Sequence, residues 1–251
     1  MPLAEIASGI PPGGIIDIHA HILPGVDDGA GDWEEARWML KCAYSQGIHT
    51  IIATPHYSRR QDVGRLRKLA GQLDMEAKQI APDLSIFLGQ EILYFDSIVE
   101  RLQEGQALTM AESRYVLVEF MPDVAFKKMY QAVRRLALAG YHPIIAHVER
   151  YEAMRDEGQM RDLEKAGCCF QMNYKSLQGG LLDRSARWCR RQAEGRQIHF
   201  LGTDMHHRDC RAPEILKTLR WLSGHVDGNQ VSRMVETNAR QMLSGCGRHE
   251  K

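Results

Sequence analysis

The chain has 251 residues, with 32 Lys+Arg against 32 Asp+Glu and 11 His, so its formal net charge is zero. An apolar content of 44% and a charged content of 25% are those of an ordinary globular protein and exclude wholesale disorder. The charge balance excludes nucleic-acid or anionic-membrane binding through a global positive field, and no apolar run approaches membrane-spanning length.

Residues 1–14 (MPLAEIASGIPPGG) have no basic region and no long apolar stretch, so they read as a flexible leader and not as a secretory signal. A first strand is expected at 15–18 (IIDI). Residues 33–47 then put Trp33, Ala36, Met39, Leu40, Ala43 and Tyr44 on one helical stripe, with Asp32 as N-cap, Glu35 completing a capping box and Gly47 at the end. A strand at 50–54 precedes a helix carrying Val63, Leu66, Leu69, Leu73, Ala77 and Ile80, closed by Pro82. Strands at 84–89 and 115–120 follow, then a helix over 124–139, a strand at 143–147 and a helix over 151–166. A strand at 168–172, a helix over 181–194, a strand at 198–203 and helices near 213–223 and 229–243 complete the chain. The strands are short and apolar with little alternation, as strands buried on both faces should be. Seven strand–helix units imply a parallel sheet covered by helices and closing as a (β/α) barrel. No linker divides it, so one domain is expected over 15–244, with a tail at 245–251.

The six cysteines (Cys42, Cys168, Cys169, Cys189, Cys210 and Cys246) form no C-x-x-C pair, which suits reduced thiols in a cytoplasmic protein. None has an arginine six residues later, so the cysteine-phosphatase signature is missing. G-x-G-x-x-G, the P-loop motif and G-x-S-x-G are also missing, which removes dinucleotide, nucleotide and serine-hydrolase readings.

What stands at the C-terminal end of each strand carries the chemistry. The first strand leads to His19 and His21, then Asp27 and Asp28. The second leads to His56, the third to Glu91, the fourth to Glu119, and the fifth to His147, Glu149 and Arg150. Asn173 follows the sixth, and Asp204 and His206 the seventh. In a parallel barrel all these ends open on one face, where active sites of this architecture lie. Residues up to 187 apart in sequence thereby converge. In H-A-H and D-M-H, residues i and i+2 point the same way if the backbone is extended. The candidates exceed one tetrahedral zinc site, so two or three divalent ions bridged by carboxylates are expected, with mixed imidazole and carboxylate donors suiting Mn, Fe or Zn. His49, His142 and His199 fall at the opposite strand ends and read as structural; His207 would support the site, and His225 and His249 would face solvent.

DIHAHILPGVDDGA at 17–30, ATPH at 53–56, GQEIL at 89–93, LVEF at 117–120, AHVERY at 146–151 and TDMH at 203–206 resemble the PHP superfamily. Within it the chain is similar to the bacterial manganese-dependent protein-tyrosine phosphatases of the CpsB/YwqE type, which are encoded with capsule and exopolysaccharide genes. The resemblance implies a single-domain, distorted (β/α)7 TIM-like barrel with a trinuclear site held by His19, His21, Asp28, His56, Glu91, Glu119, His147, Asp204 and His206. It also implies that Arg150 and Arg211 bind phosphate and that Asn173 shapes the pocket. It implies Mn as the metal and a phosphotyrosine-bearing protein as substrate, the C-terminal tail of a bacterial tyrosine kinase, with no nucleic acid or membrane insertion. Self-association stays open. The leader at 1–14 and the segment DMHHRDCR at 204–211 depart from the family pattern.

The expected reaction is phosphomonoester hydrolysis without a phosphoenzyme, with water activated at the metals and the two arginines clamping non-bridging oxygens. A tyrosyl leaving group, with a pKa near ~10, needs little protonation; His207 or Asp28 is the candidate general acid. Histidinol-phosphate phosphatase shares the ligand set and is the first alternative. An amidohydrolase is disfavoured because that class commonly has lysine where Glu119 stands. A non-catalytic scaffold binding a kinase tail is disfavoured by the complete ligand set.

Overall fold

The computed structural model describes residues 13–180 and 182–245. Most of the expected leader, the tail after Gly245, His249 and Cys246 lie outside these residues.

Strand β1 (Ile15–Ala20) is wholly buried, including Asp17 and His19. Strands β2 (Ile48–Ala53) and β3 (Ser85–Leu88) join it in the order β1-β2-β3, all parallel. A second parallel sheet runs β4 (Glu91–Leu93), β5 (Tyr115–Glu119), β6 (His142–Ile145), β7 (Cys169–Asn173) and β8 (Phe200–Gly202). The sequence stretch expected to form one strand at 84–89 thus continues, after a break at Gly89–Gln90, as β4 in the other sheet. The Gln90 side chain causes the jog: Oε1 accepts from Leu108 N–H at 2.8 Å and Nε2 donates to Gln61 at 2.9 Å. A parallel bridge between His56 and Glu91 ties the two sheets across this break. At the other margin Ala20 bridges Met205, and Thr203 Oγ1 donates to buried Asp17 at 2.5 Å.

The helices are amphipathic and cover the sheets: α1 (Trp33–Tyr44), α2 (Val63–Ile80), α3 (Ile98–Gln103), α4 (Phe126–Leu138), α5 (Glu157–Lys165), α6 (Arg184–Glu194) and α7 (Leu216–His225). Helix α8 (Gly228–Ser232) runs through a π turn at Arg233–Thr237 into α9 (Asn238–Ser244), where one helix was expected. Helix α3 was not foreseen. Five helices start at an aspartate whose carboxylate accepts a first-turn N–H: Asp32, Asp62, Asp156, Asp183 and Asp227. Such caps contribute about 1 kcal/mol each. The box at α1 closes differently from expectation, because Glu35 reaches Gly31 N–H at 2.9 Å. The helix expected from 151 begins at Glu157, since Tyr151 is fully buried with its hydroxyl accepting from Phe120 N–H at 3.0 Å. Short 3-10 turns over Val148–Arg150 and Glu152–Arg155 fill the gap.

The main core lies between helices and sheets. A second cluster joins Ile18, Ile52, Leu117, Ile144 and Phe200 from five different strands with Met242 of α9. Leu117 precedes Glu119 by two positions on β5, so this apolar layer lies on the strand face that carries the polar ends.

Candidate metal centre

All nine expected donors meet at the C-terminal strand ends. Glu91 is the hub, 1% exposed. Its Oε2 lies 3.2 Å from His19 Nε2, 3.1 Å from His21 Nε2 and 3.2 Å from His56 Nδ1, and its Oε1 lies 2.7 Å from His147 Nε2. Glu119 stands 3.5 Å from His56 and 3.7 Å from His147. Asp28 stands 3.4 Å from His56 and 3.6 Å from His206. Four donor groups emerge: His21, Asp28, His56 and His206; His19, His21 and Asp204; His19, Glu91 and His147; and His56, Glu91 and Glu119. His19, His21, Glu91 and His56 each serve two groups, so the groups are contiguous.

The imidazoles are oriented by neutral and anionic partners behind them. Gln171 Oε1 accepts from His147 backbone N–H at 2.7 Å, which fixes the amide orientation. His19 Nδ1, 3.0 Å from the same oxygen, must therefore be its N–H donor. Asp27 accepts from His21 Nδ1 at 2.8 Å and from His56 backbone N–H at 2.9 Å. Both Nε2 lone pairs consequently point inward, facing each other at 3.2 Å. So close a meeting of acceptors around a carboxylate is repulsive unless positive charge lies among them. Asp204 Oδ1 is buried without a hydrogen-bond partner, 3.5 Å from His19 Nε2 and 3.6 Å from His21 Nε2. An unpartnered buried carboxylate oxygen beside two imidazole lone pairs, with hard oxygen and nitrogen donors, fits divalent cations.

Proton affinities show the same demand for positive charge. Burial opposes ionisation of His21, yet Asp27 and Glu91 raise it to about 10. Burial likewise lowers His19, but Glu91 and Asp204 outweigh it and the net shift is upward. Burial and the Glu91 charge push Glu119 up to about 7. Burial and the neighbouring His21 push His206 down to about 4.

Backbone geometry is unusual here. His147, Asp204 and Arg211 hold positive φ, three of the six non-glycine residues that do so among the described residues. Left-handed backbone costs of order 1–2 kcal/mol per residue, and its concentration at one cluster marks a functional constraint. Close approach also dictates Gly202, where a Cβ would lie 2.8 Å from His19 Cβ and 2.9 Å from Gln171 Nε2.

Arg150 and Arg211 both reach Asp204 Oδ2, Arg150 at 2.5 Å, and Asn173 Nδ2 donates to the same oxygen at 2.8 Å. Arg211 Nη1 also donates to His206 Nε2 at 2.9 Å. Arg150, Asn173, Asp204 and Arg211 line a cavity of about 230 Å³ with Glu149, Lys175, Ser176 and Thr203. His207, expected to support the site, turns instead to Glu35 of α1 at 3.2 Å. His49 pairs with Asp83 and His199 with Glu164, as structural histidines do, and His225 is exposed.

Sequence alone assigns no role to Asp17 and Gln171, and none to Asp27 beyond its place after the first strand. The signal for Asp17 and Gln171 is alternation: D-x-H-x-H at 17–21 and Q-x-N at 171–173 place each on the face of a candidate site residue. Gln171→Leu is expected to leave His147 N–H and His19 Nδ1 without an acceptor and to weaken metal binding about 10–100-fold. Gln171→Glu, which keeps an acceptor, should retain most of the affinity; metal titration followed by calorimetry checks both.

A parallel α/β chain gathering imidazoles and carboxylates at one set of strand ends has the build of a divalent-metal-dependent enzyme. Residues 15–244 match the family described as "Capsular polysaccharide synthesis, CpsB/CapC", and the chain belongs to that family. It is 33% identical over 233 residues to the tyrosine-protein phosphatase YwqE of Bacillus subtilis, covering 91% of each chain. It is 29% identical over 238 residues to the tyrosine-protein phosphatase CpsB of Streptococcus pneumoniae, covering 91% of this chain and 98% of that one. A crystal structure from a study of these two proteins, described there as metal-dependent tyrosine phosphatases, superposes with a TM-score of 0.83 at 32% identity, covering 92% of this chain and 95% of that one.

Proposed function

We propose that this chain is a metal-dependent protein-tyrosine phosphatase working on two or three divalent ions, with Mn as the native metal. The observation that carries the proposal is the convergence of nine imidazole and carboxylate donors in four overlapping groups, Glu91 among them, with two arginines on the outer oxygen of Asp204. His19, His21, Asp28, His56, Glu91, Glu119, His147, Asp204 and His206 would hold the ions. Bound there, the ions would supply positive charge against phosphate oxygens and the Lewis acidity that activates water for attack on phosphorus. Arg150 and Arg211 would take the remaining non-bridging oxygens through bidentate hydrogen bonds, while Asn173 keeps Asp204 oriented. A phenolic leaving group departs without a strong acid, which agrees with His207 being committed to Glu35.

The domain is proposed to be a single distorted (β/α)7 barrel over 15–244. The Ala20–Met205 and His56–Glu91 bridges, which join the margins of the two parallel sheets, support that closure. The proposed substrate is the phosphotyrosine-bearing tail of a bacterial tyrosine kinase in polysaccharide export, met in the cytoplasm. Among the described residues no helix is long and apolar enough to cross a membrane.

The test is turnover of a phosphotyrosyl peptide, histidinol phosphate and a lactone with added Mn, before and after chelation. Preferential hydrolysis of the peptide, abolished by chelator, is expected. Preference for histidinol phosphate or the lactone would replace the proposal by the corresponding alternative. Removing ions present at about 100-fold over their Kd forfeits roughly 2.7 kcal/mol, so chelation should also lower Tm by about 5–10 °C.

A further inference from the structure

Seven large apolar side chains are exposed among the described residues, and two of them, Leu93 at 45% and Met121 at 60%, stand beside the metal centre. Each lies two positions beyond a candidate ligand, Leu93 after Glu91 and Met121 after Glu119. Alternation along a strand points Leu93 the same way as Glu91, and Leu93 pairs in register with Glu119 on β5. The intervening Ile92 and Phe120 are buried on the other face. Tyr57, next to His56, stacks on Phe95, two residues beyond Leu93, with centroids 5.3 Å apart and planes 15° apart. Tyr57 N–H donates to Glu91 O at 2.8 Å, so the stack is fixed to the same strand ends. Arg59 lies over the Phe95 ring at 5.6 Å.

The accessible ligands are on this side. Asp28 is 65% and His56 37% exposed, whereas Glu91, His147 and Asp204 are buried. The mouth is therefore amphiphilic: Arg150 and Arg211, after β6 and β8, supply cationic donors, and the β2, β4 and β5 ends supply apolar surface. An aryl phosphate has the matching shape, an anionic head joined to a flat apolar ring. Single exposed apolar side chains are ordinary; what distinguishes Leu93 and Met121 is their place, each two residues beyond a candidate ligand.

We propose that the apolar lip of Leu93 and Met121, at the strand ends that also carry the Tyr57–Phe95 stack, receives the aromatic ring of the phosphotyrosyl residue and sets the preference for aryl over alkyl phosphates. The proposal rests on the phosphatase reading but is tested apart from it. Methylphosphonate and phenylphosphonate share a head group and differ by the ring, and neither is hydrolysed. With Mn-loaded full-length protein, titration calorimetry should show phenylphosphonate binding about tenfold tighter than methylphosphonate, the scale of a filled apolar contact. In the Leu93→Ala/Met121→Ala double variant that ratio should fall to about twofold, with metal content unchanged. For a phosphotyrosyl peptide, KM should rise about fivefold in the double variant while kcat changes less than threefold. Because neither side chain belongs to the buried core, their truncation leaves the core intact. No ring preference in the wild type, or the same ratio in the double variant, overturns the lip. Absence of peptide turnover by the wild type, with the ring preference intact, would instead sink the phosphatase reading and leave the lip as an aryl-phosphonate site.

Discussion

Glu91→Gln is expected to lower phosphotyrosyl turnover by at least about 10³-fold and to reduce bound metal by one or more ions per chain. Removing a partner that merely orients a ligand typically costs 10–100-fold, and Glu91, at the centre of four imidazoles, would touch the ions directly. Glutamine keeps the side-chain volume, so no cavity opens and folding should persist. It removes the negative charge that His19, His21, His56 and His147 surround, and it turns an N–H₂ group toward at least one imidazole nitrogen. A 10³-fold loss corresponds to about 4 kcal/mol of transition-state stabilisation. Circular dichroism would confirm folding and elemental analysis would count metal. Turnover within tenfold of wild type at full metal occupancy would remove Glu91 from the reaction.

The sequence makes the ligands legible because their chemistry is scarce. Imidazoles and carboxylates at the ends of buried apolar runs are costly unless they share a task, so H-A-H, T-P-H and T-D-M-H stand out without any coordinates. Adjacent Asp27 and Asp28 do not separate in the same way. In the fold Asp27 turns inward to His21 and the backbone of His56, while Asp28 stays in water facing His56 and His206. Their division follows from the tight turn at Gly29, where a Cβ would come within 2.1 Å of His21 O. Gln171 was illegible for a different reason. A neutral amide inside C-C-F-Q-M resembles an edge polar residue, and only its position below both His19 and the His147 backbone reveals its use.

Element boundaries failed where side chains interrupt the backbone pattern. The strand expected at 84–89 ends at Leu88; beyond it Gln90 leaves the ladder to hold Leu108, and a separate strand β4, not expected from the sequence, carries Glu91 beside His56. Likewise the apolar period after His147 suggests a helix from 151, but the turns that precede Asp156 present Arg150 outward and Tyr151 inward. Tyr151 OH lies 3.3 Å from His147 Nδ1, so delaying α5 also supports a candidate ligand. Both departures occur at the site, where local regularity yields to geometry required by function.

Arg150→Ala and Arg211→Ala are each expected to lower kcat/KM about 10²-fold while leaving metal content unchanged. One preorganised donor to a developing anion is commonly worth 10²–10³-fold, and both guanidinium groups are partly exposed, at 40% and 37%, which reduces their strength through solvent screening. Both share Asp204 Oδ2, so each variant leaves the other arginine and Asn173 Nδ2 on that oxygen. Asp204 therefore keeps its orientation toward His19 and His21 in either single variant. The double variant should lose no more than about 10³-fold, short of the product of the two losses, because residues sharing a partner couple. Lysine should restore little at either position, since an ammonium cannot span two oxygens in the planar fork of a guanidinium. Arg211 has a second contact, to His206 Nε2 at 2.9 Å, that gives its variant a diagnostic outcome. A substrate-binding Arg211 predicts raised KM and lowered kcat at constant metal. A loss of metal on Arg211→Ala would show that its role is to hold His206 in place, and phosphate recognition would then fall to Arg150 alone.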